Sequence, residues 1–253
     1  MSVYTHKKTS NSHAAKASKR RAAFYDLDGT LVDLNLVHAA IFTLANVGEW
    51  TGRVSYLLGF AARIPRLYVA EQRDRLFSLG EEYCERILIG HLFPRAVELI
   101  EANRAAGIEP VLVTGSPDFI VAPLARHLGI ADFAANRFVF SRGRATGRLA
   151  EPVMAGDEKS VWCADYAAER NIALADCWGY ADSHYDTSFL AALGHPVAVN
   201  PDRRLRAAAL SRQWPVLHFE KAADSPQLYD FDNHNLELNH DSEKSTRGSD
   251  GAA

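Results

Sequence analysis

The chain has 253 residues, 47% of them hydrophobic and 23% charged, with a formal net charge of −3. That length can bury one sizeable core with an inserted subdomain, and the composition is that of a soluble globular protein. The slight acidity argues against a general nucleic-acid binder. Three widely separated cysteines, Cys84, Cys163 and Cys177, with no Cys-x-x-Cys spacing, indicate neither a zinc site nor a disulfide framework. A reducing cytoplasm is the expected setting.

Residues 1–21 are polar and basic, with Lys7, Lys8, Lys16, Lys19, Arg20 and Arg21, and lack the apolar stretch of a secretory signal. They read as a disordered tail. The short apolar run Ala22-Ala23-Phe24-Tyr25 then reads as a buried strand, followed at once by Asp26-Leu27-Asp28-Gly29-Thr30. Such a strand delivers Asp26 and Asp28 to the mouth of a parallel sheet, where open α/β folds place their ligands. Alternation points both carboxylates to one side, and Gly29 permits a sharp turn. Two carboxylates so close repel unless a cation lies between them, which suggests Mg²⁺ and a phosphorylated substrate. A turn rich in side-chain hydrogen bonds is the structural alternative. A calcium loop fits poorly, because the later acids it needs are missing: Leu31, Val32 and Leu34 are apolar, with only Asp33 among them.

From about 33 to 92 the helical spacing is unbroken by a strand, which predicts a helical cap inserted over the mouth of the first strand. Its apolar patch, Val54 to Ala62, is too short to span a bilayer and is flanked by Arg53, Arg63 and Arg66. It reads as packed cap core, with contact to substrate or weakly to a membrane surface as the alternative. Beyond it the pattern alternates. Helices are expected at Pro94 to Ala106, Asp118 to Leu128, Lys159 to Arg170 and Phe189 to Leu193. Strands are expected at Pro110 to Val113, Phe138 to Phe140, Cys177 to Tyr180 and Pro196 to Val199. The fold class is therefore α/β, a doubly wound, Rossmann-like parallel sheet with a helical cap. The domain is expected over 22–221, ahead of a polar tail from 222 to 253.

Three further strand ends carry candidate chemistry. Thr114-Gly115-Ser116 offers a hydroxyl and backbone amides ahead of a helix N-terminus, able to hold phosphate oxygens, although either hydroxyl could instead cap the helix. Lys159 sits at the start of a helix, where acids are preferred, and so breaks a local rule, although most lone lysines are solvated. Asp182 and Asp186 lie four apart in Asp182-Ser183-His184-Tyr185-Asp186, so that a strand-to-helix turn can bring both to one side. A helix cap at Asp186 is the simpler alternative.

In this order the stations resemble the haloacid dehalogenase superfamily of phosphatases, in the phosphoserine-phosphatase-like branch with a helical cap between the first two motifs. The similarity runs from about Ala22 to Phe219. It is carried by Asp26 to Thr30 and Asp182 to Asp186, with support from Gly147-Arg148-Leu149 ahead of Lys159 and from Gly194 to Pro201. The resemblance implies that Asp26 is a nucleophile forming an aspartyl-phosphate, and that Asp28 is the general acid and then base. It implies Mg²⁺ held by Asp26, the Asp28 backbone carbonyl and Asp182, with Asp186 in support. Thr114 and the amides around Gly115 would bind phosphate, and Lys159 would neutralise phosphoryl charge. The partner would be a small phosphorylated substrate. Ala181 stands where the family usually has glycine or another small residue, a departure the family tolerates. Asn35 stands where phosphoserine phosphatases carry a glutamate that pairs with the substrate's amino group, which argues against L-phosphoserine. A phosphotransferase on the same fold and a regulatory protein acting through cap and tails are the alternatives. Asp28 favours transfer to water over the first, and the complete set of acids, hydroxyl and lysine opposes the second.

Overall fold

The computed structural model describes residues 20–35, 39–40 and 68–222. The whole patch from Arg53 to Arg66 and the bulk of both expected tails lie outside the described residues. Within them, β1 (Arg21–Tyr25) is followed by α1 (Arg73–Arg86), a 3-10 turn (Leu88–His91), α2 (Pro94–Ala105), β2 (Ile108–Pro117) and α3 (Asp118–His127). Next come β3 (Asp132–Asn136), β4 (Phe138–Ser141), β5 (Arg144–Leu149) and α4 (Asp157–Glu169). The chain closes with β6 (Trp178–Ala181), α5 (Thr187–Ala191), β7 (His195–Val199), α6 (Arg203–Arg212) and β8 (Val216–Leu217). Arg21, the last residue of the stretch read as a polar tail, is thus part of the first strand, and Arg20 pairs with Glu109.

Six strands form one sheet in the order β3-β2-β1-β6-β7-β8, all parallel, with β1 at its interior. The expected α/β sheet is therefore present. The strand expected at Phe138 to Phe140 exists but belongs elsewhere: it pairs antiparallel with β5 in a separate two-stranded hairpin. The parallel partner of β2 is instead β3, whose sequence Asp132-Phe133-Ala134-Ala135-Asn136 is too polar and small to announce itself. Helix α6 and strand β8 were not anticipated either.

Every residue from Ala22 to Tyr25 is fully buried, as a strand covered on both faces must be. Alternation divides the core accordingly. Ala23 and Tyr25 join one apolar cluster with Leu112, Ile100 and Tyr180, while Ala22 and Phe24 join another with Val111, Cys163, Tyr166 and Phe189. On the first face Tyr25 stacks on Tyr180 at 4.8 Å, and Asn103 of α2 donates to both phenol oxygens at 2.6 and 3.2 Å. On the second, Phe24 meets Tyr166 of α4 edge-on at 5.6 Å. Helix α2 opens on Pro94 and stops before Gly107, which takes φ +71.

The chain leaves the sheet for the 33–92 segment and returns to it side by side. Val32 bridges Leu92 antiparallel, the Asp33 amide donates to the His91 carbonyl at 3.1 Å, and the Phe93 amide to the Leu31 carbonyl at 2.9 Å. The buried His91 ring sits 2.5 Å from Asp33 across this junction. Helix α1 lies against the start of α3 so closely that a Cβ on Gly80 would fall 1.9 Å from the Phe119 carbonyl oxygen. Since a backbone atom cannot step aside cheaply, Gly80→Ala should destabilise the fold by about 2 kcal/mol. A urea denaturation curve with an unchanged midpoint would show that the two helices are not held at this spacing.

Candidate active site

The position of Lys159 follows from the helix that carries it. Lys159, Cys163 and Tyr166 are all buried on α4, spaced along one helical face, and that face lies on the Ala22 and Phe24 side of the sheet. Asp26 follows two residues after Phe24, so the top of the helical stripe meets the end of the strand. The Lys159 Nζ donates to Asp26 Oδ1 at 2.8 Å and reaches Asp186 at 2.8 Å. All three side chains are buried. The lysine that breaks the rule for helix N-termini is therefore an internal cation, and not a solvated surface residue.

The acids arrive from two neighbouring strands. β1 and β6 are paired at Tyr25 and Tyr180, and the Asp26 amide donates to the Tyr180 carbonyl at 2.9 Å. Asp182 follows one residue after β6, and the turn Ser183 to Asp186 brings the second acid back over it. One carboxylate oxygen each from Asp26, Asp182 and Asp186 lies within 4.8 Å of the others. Gly29, at φ +75, turns the first loop against this cluster, and a Cβ there would stand 2.2 Å from Asp182 Oδ2. Its glycine is required twice over, by backbone conformation and by space.

Asp28 does something different. Its carboxylate is not one of the three that converge, and it accepts from Ser116 Oγ at 2.6 Å. The Thr114 hydroxyl accepts from the Ser116 amide at 3.1 Å within a stretch where the pairing of β2 with β3 shifts register. Pro117 stands at the N-cap of α3, so neither Thr114 nor Ser116 caps that helix. Ser116 is thus the partner of an acid, a role the sequence did not single out. Asn136 was also missed: its side chain donates to the Gly115 carbonyl at 2.7 Å and accepts from the Met154 amide at 2.8 Å, pinning the Gly115 loop. A polar residue closing a weak edge strand is too common for its sequence to have marked it.

The electrostatics are those of an acid cluster with too little positive charge. Burial and the charge of Asp26 push the Asp28 carboxyl up to about 7, against the pull of the Ser116 hydrogen bond. Burial, then Asp26 and Asp186, push Asp182 up to about 8. Asp186 rises to about 6 from burial and Asp26, with Lys159 opposing. For Lys159, burial works against the charge, but the two carboxylates outweigh it and hold the ammonium above the usual lysine range. An all-oxygen donor set with excess negative charge fits a hard divalent cation such as Mg²⁺. The three cysteines are buried and unpaired, and no described helix is long and apolar enough to cross a membrane.

A profile of the haloacid dehalogenase-like hydrolases matches residues 23–191, from the first strand through the second acidic pair. The chain belongs to that family. It is a hydrolase, and the phosphatase expectation drawn from its motifs agrees with the names its relatives carry. It is 32% identical over 220 residues to a probable phosphatase of Mycobacterium tuberculosis strain H37Rv, spanning 80% of this chain and 76% of that one. It is 30% identical over 226 residues to the phosphoserine phosphatase SerB1 of the same organism, spanning 82% and 73%. In three dimensions it resembles a Bordetella pertussis Tohama I protein of unknown function, with TM-score 0.69 and 27% identity over 79% of this chain and 99% of that one. An apo phosphoserine phosphatase shares the fold at TM-score 0.60 and 20% identity, over 79% and 94%.

The raised carboxyl groups have a consequence for stability. An acid whose pKa is higher folded than unfolded holds extra protons in the native state, so its contribution is fully present below the unfolded value and is lost as pH rises through the folded one. With Asp186, Asp28 and Asp182 raised to about 6, 7 and 8, the metal-free protein should lose stability as pH climbs through that range. Asp33 and Asp202 are lowered, so their losses fall on the acid side and do not mask it. The melting temperature in EDTA should fall from about pH 5 to about pH 8.5, and Mg²⁺ should flatten the slope. A metal-free melting temperature that rises steadily across that interval would contradict the cluster's electrostatics.

Proposed function

We propose that this protein hydrolyses a small phosphomonoester with Mg²⁺ as cofactor, by way of a phosphoryl group carried on Asp26. The observation that supports this most directly is the division of labour between two acids of one loop. Asp26 is fixed by Lys159 within the acidic cluster, whereas Asp28 stands apart on Ser116 with its carboxyl near the pKa that proton transfer at neutral pH requires. Asp26 attacks phosphorus and takes the phosphoryl group as an aspartyl-phosphate while the bond to the leaving oxygen breaks. Asp28 donates its proton to that oxygen and then, as the carboxylate, takes one from the water that releases phosphate. Asp26, Asp182, Asp186 and the Asp28 carbonyl would hold the Mg²⁺, which would supply charge stabilisation for the transferred group. Thr114, the amides around Gly115 and Lys159 bind and neutralise the phosphate oxygens. The domain limits of 22–221 with a cap over about 33–92 and a cytoplasmic setting belong to the same reading, supported by the side-by-side junction at Val32 and Leu92 and by the unpaired cysteines.

The aspartyl-phosphate step is tested by Asp26→Asn, which keeps the shape but removes the nucleophile. The variant should remain folded, lose turnover to background, and form no acid-stable, hydroxylamine-sensitive phosphoryl-enzyme. EDTA should stop the unaltered enzyme and Mg²⁺ restore it. Full activity in a folded Asp26→Asn protein, or undiminished activity after exhaustive chelation, would overturn the mechanism.

Substrate choice turns on Asn35, exposed at the start of the segment expected to form the cap. A neutral amide cannot supply the charge that an ammonium-bearing substrate needs. A charge-assisted hydrogen bond contributes about 1.5–3 kcal/mol, so L-phosphoserine should trail phosphomonoesters with neutral or apolar leaving groups by roughly ten- to a hundred-fold in kcat/KM. Asn35→Glu should narrow that gap. L-phosphoserine emerging as the best of a broad metabolite panel for the unaltered enzyme would overturn this assignment of Asn35.

A further inference from the structure

The loop between Asp182 and Asp186 carries two members of the acidic cluster, yet the residues that shape it come from elsewhere. Asp202, last of the three residues that link β7 to α6, receives that loop through one oxygen. Its Oδ2 accepts from the His184 amide at 2.8 Å, lies 2.8 Å from His184 Nδ1, and stands 3.5 Å from Ser183 Oγ. The Asp202 amide donates to the Asp182 carbonyl at 2.8 Å. Its other oxygen, Oδ1, accepts from the Arg204 and Leu205 amides at 2.8 and 2.7 Å and so caps α6.

The anchor is itself fixed. The preceding Asn200 takes the left-handed φ of +43, its amide donates to the Leu217 carbonyl at 2.9 Å, and its side chain accepts from the Phe219 amide at 2.8 Å. Arg204 completes the arrangement by placing Nη1 3.3 Å from His184 Nε2. Guanidinium has only donors, so Nε2 accepts and Nδ1 carries the proton given to Asp202. Burial pulls the Asp202 carboxyl upward, but the His184 and Leu205 amides and the His184 ring bring it down to about 2, so it is an acceptor throughout the working range.

We propose that Asp202 is a positioning residue for cation binding, setting the spacing of the Asp182 and Asp186 carboxylates through the Asp182 carbonyl and through the amide and ring of His184. The inference rests on the metal reading given above. It differs from a helix-capping role in a way chemistry can separate. Asparagine caps a helix as well as aspartate through Oδ1, but the amide nitrogen in place of Oδ2 is a donor and meets the His184 N–H groups donor to donor.

The test is calorimetric titration of Mg²⁺ into the full chain and into Asp202→Asn and His184→Ala. Partners behind metal ligands typically contribute ten- to a hundred-fold in affinity, so Asp202→Asn should weaken Mg²⁺ binding by at least about ten-fold, and His184→Ala by less, since the backbone contact survives. Asp202→Asn should remain folded, with a metal-free melting temperature lowered by the lost carboxylate contacts, and excess Mg²⁺ should restore its kcat with little change in substrate KM. If Asp202→Asn proves poorly folded, the His184→Ala titration decides. Parent-like Mg²⁺ affinity in a folded variant overturns the inference alone, whereas no Mg²⁺ binding by the parent chain overturns the metal reading and this inference with it.

Discussion

The Lys159 ammonium lies 2.8 Å from Asp26 and 2.8 Å from Asp186, and its side chain and theirs are almost wholly withdrawn from water. Desolvating charged groups costs several kcal/mol each, and their mutual attraction returns that only when geometry and hydrogen bonding are good. One lysine cannot balance Asp26, Asp28, Asp182 and Asp186 together. Without a cation the site therefore takes up protons to relieve the repulsion, and the surrounding packing, not its own electrostatics, holds the acids together. Proteins tolerate such local cost where activity requires it.

What supplies the compensation is the body of the sheet. β1 is covered on both faces, and the stripe that carries Lys159 continues down α4 as Cys163 and Tyr166 against Phe24. The opposite face is closed by the Tyr25–Tyr180 stack and the Asn103 amide that serves both phenols. Asp26 and Asp182 thus follow directly on two adjacent strands, and Lys159 comes from the first turn of a helix. The loops after β1 and β6 add Asp28 and Asp186.

The parts legible in sequence were those with a strong local signal. Ala22 to Tyr25 and Val111 to Val113 are short runs without polar interruption, and each is buried and followed by its motif. The two acidic pairs are spaced as strand ends and turns demand, and Lys159 stood out because it contradicted helix electrostatics. What escaped lacked any such mark. β3 is a short strand of small and polar residues near the sheet's edge, so Phe138 to Phe140, more apolar and only two residues on, took its place in the reading. α6, with four arginines in Arg203 to Arg212, resembles a solvated segment. Ser116, Asn136 and Asp202 act through partners distant in the chain, and no local spacing encodes a partner 88 residues away, as Asp28 is from Ser116.

The antiparallel contact of Val32 with Leu92 separates two design problems. Because the chain departs and re-enters at one point, the register of the sheet is independent of how much polypeptide lies between. Closing a flexible excursion costs only about 0.6 kcal/mol more for each doubling of its length. The length of the excursion can therefore change while the strands that aim Asp26 and Asp182 stay as they are.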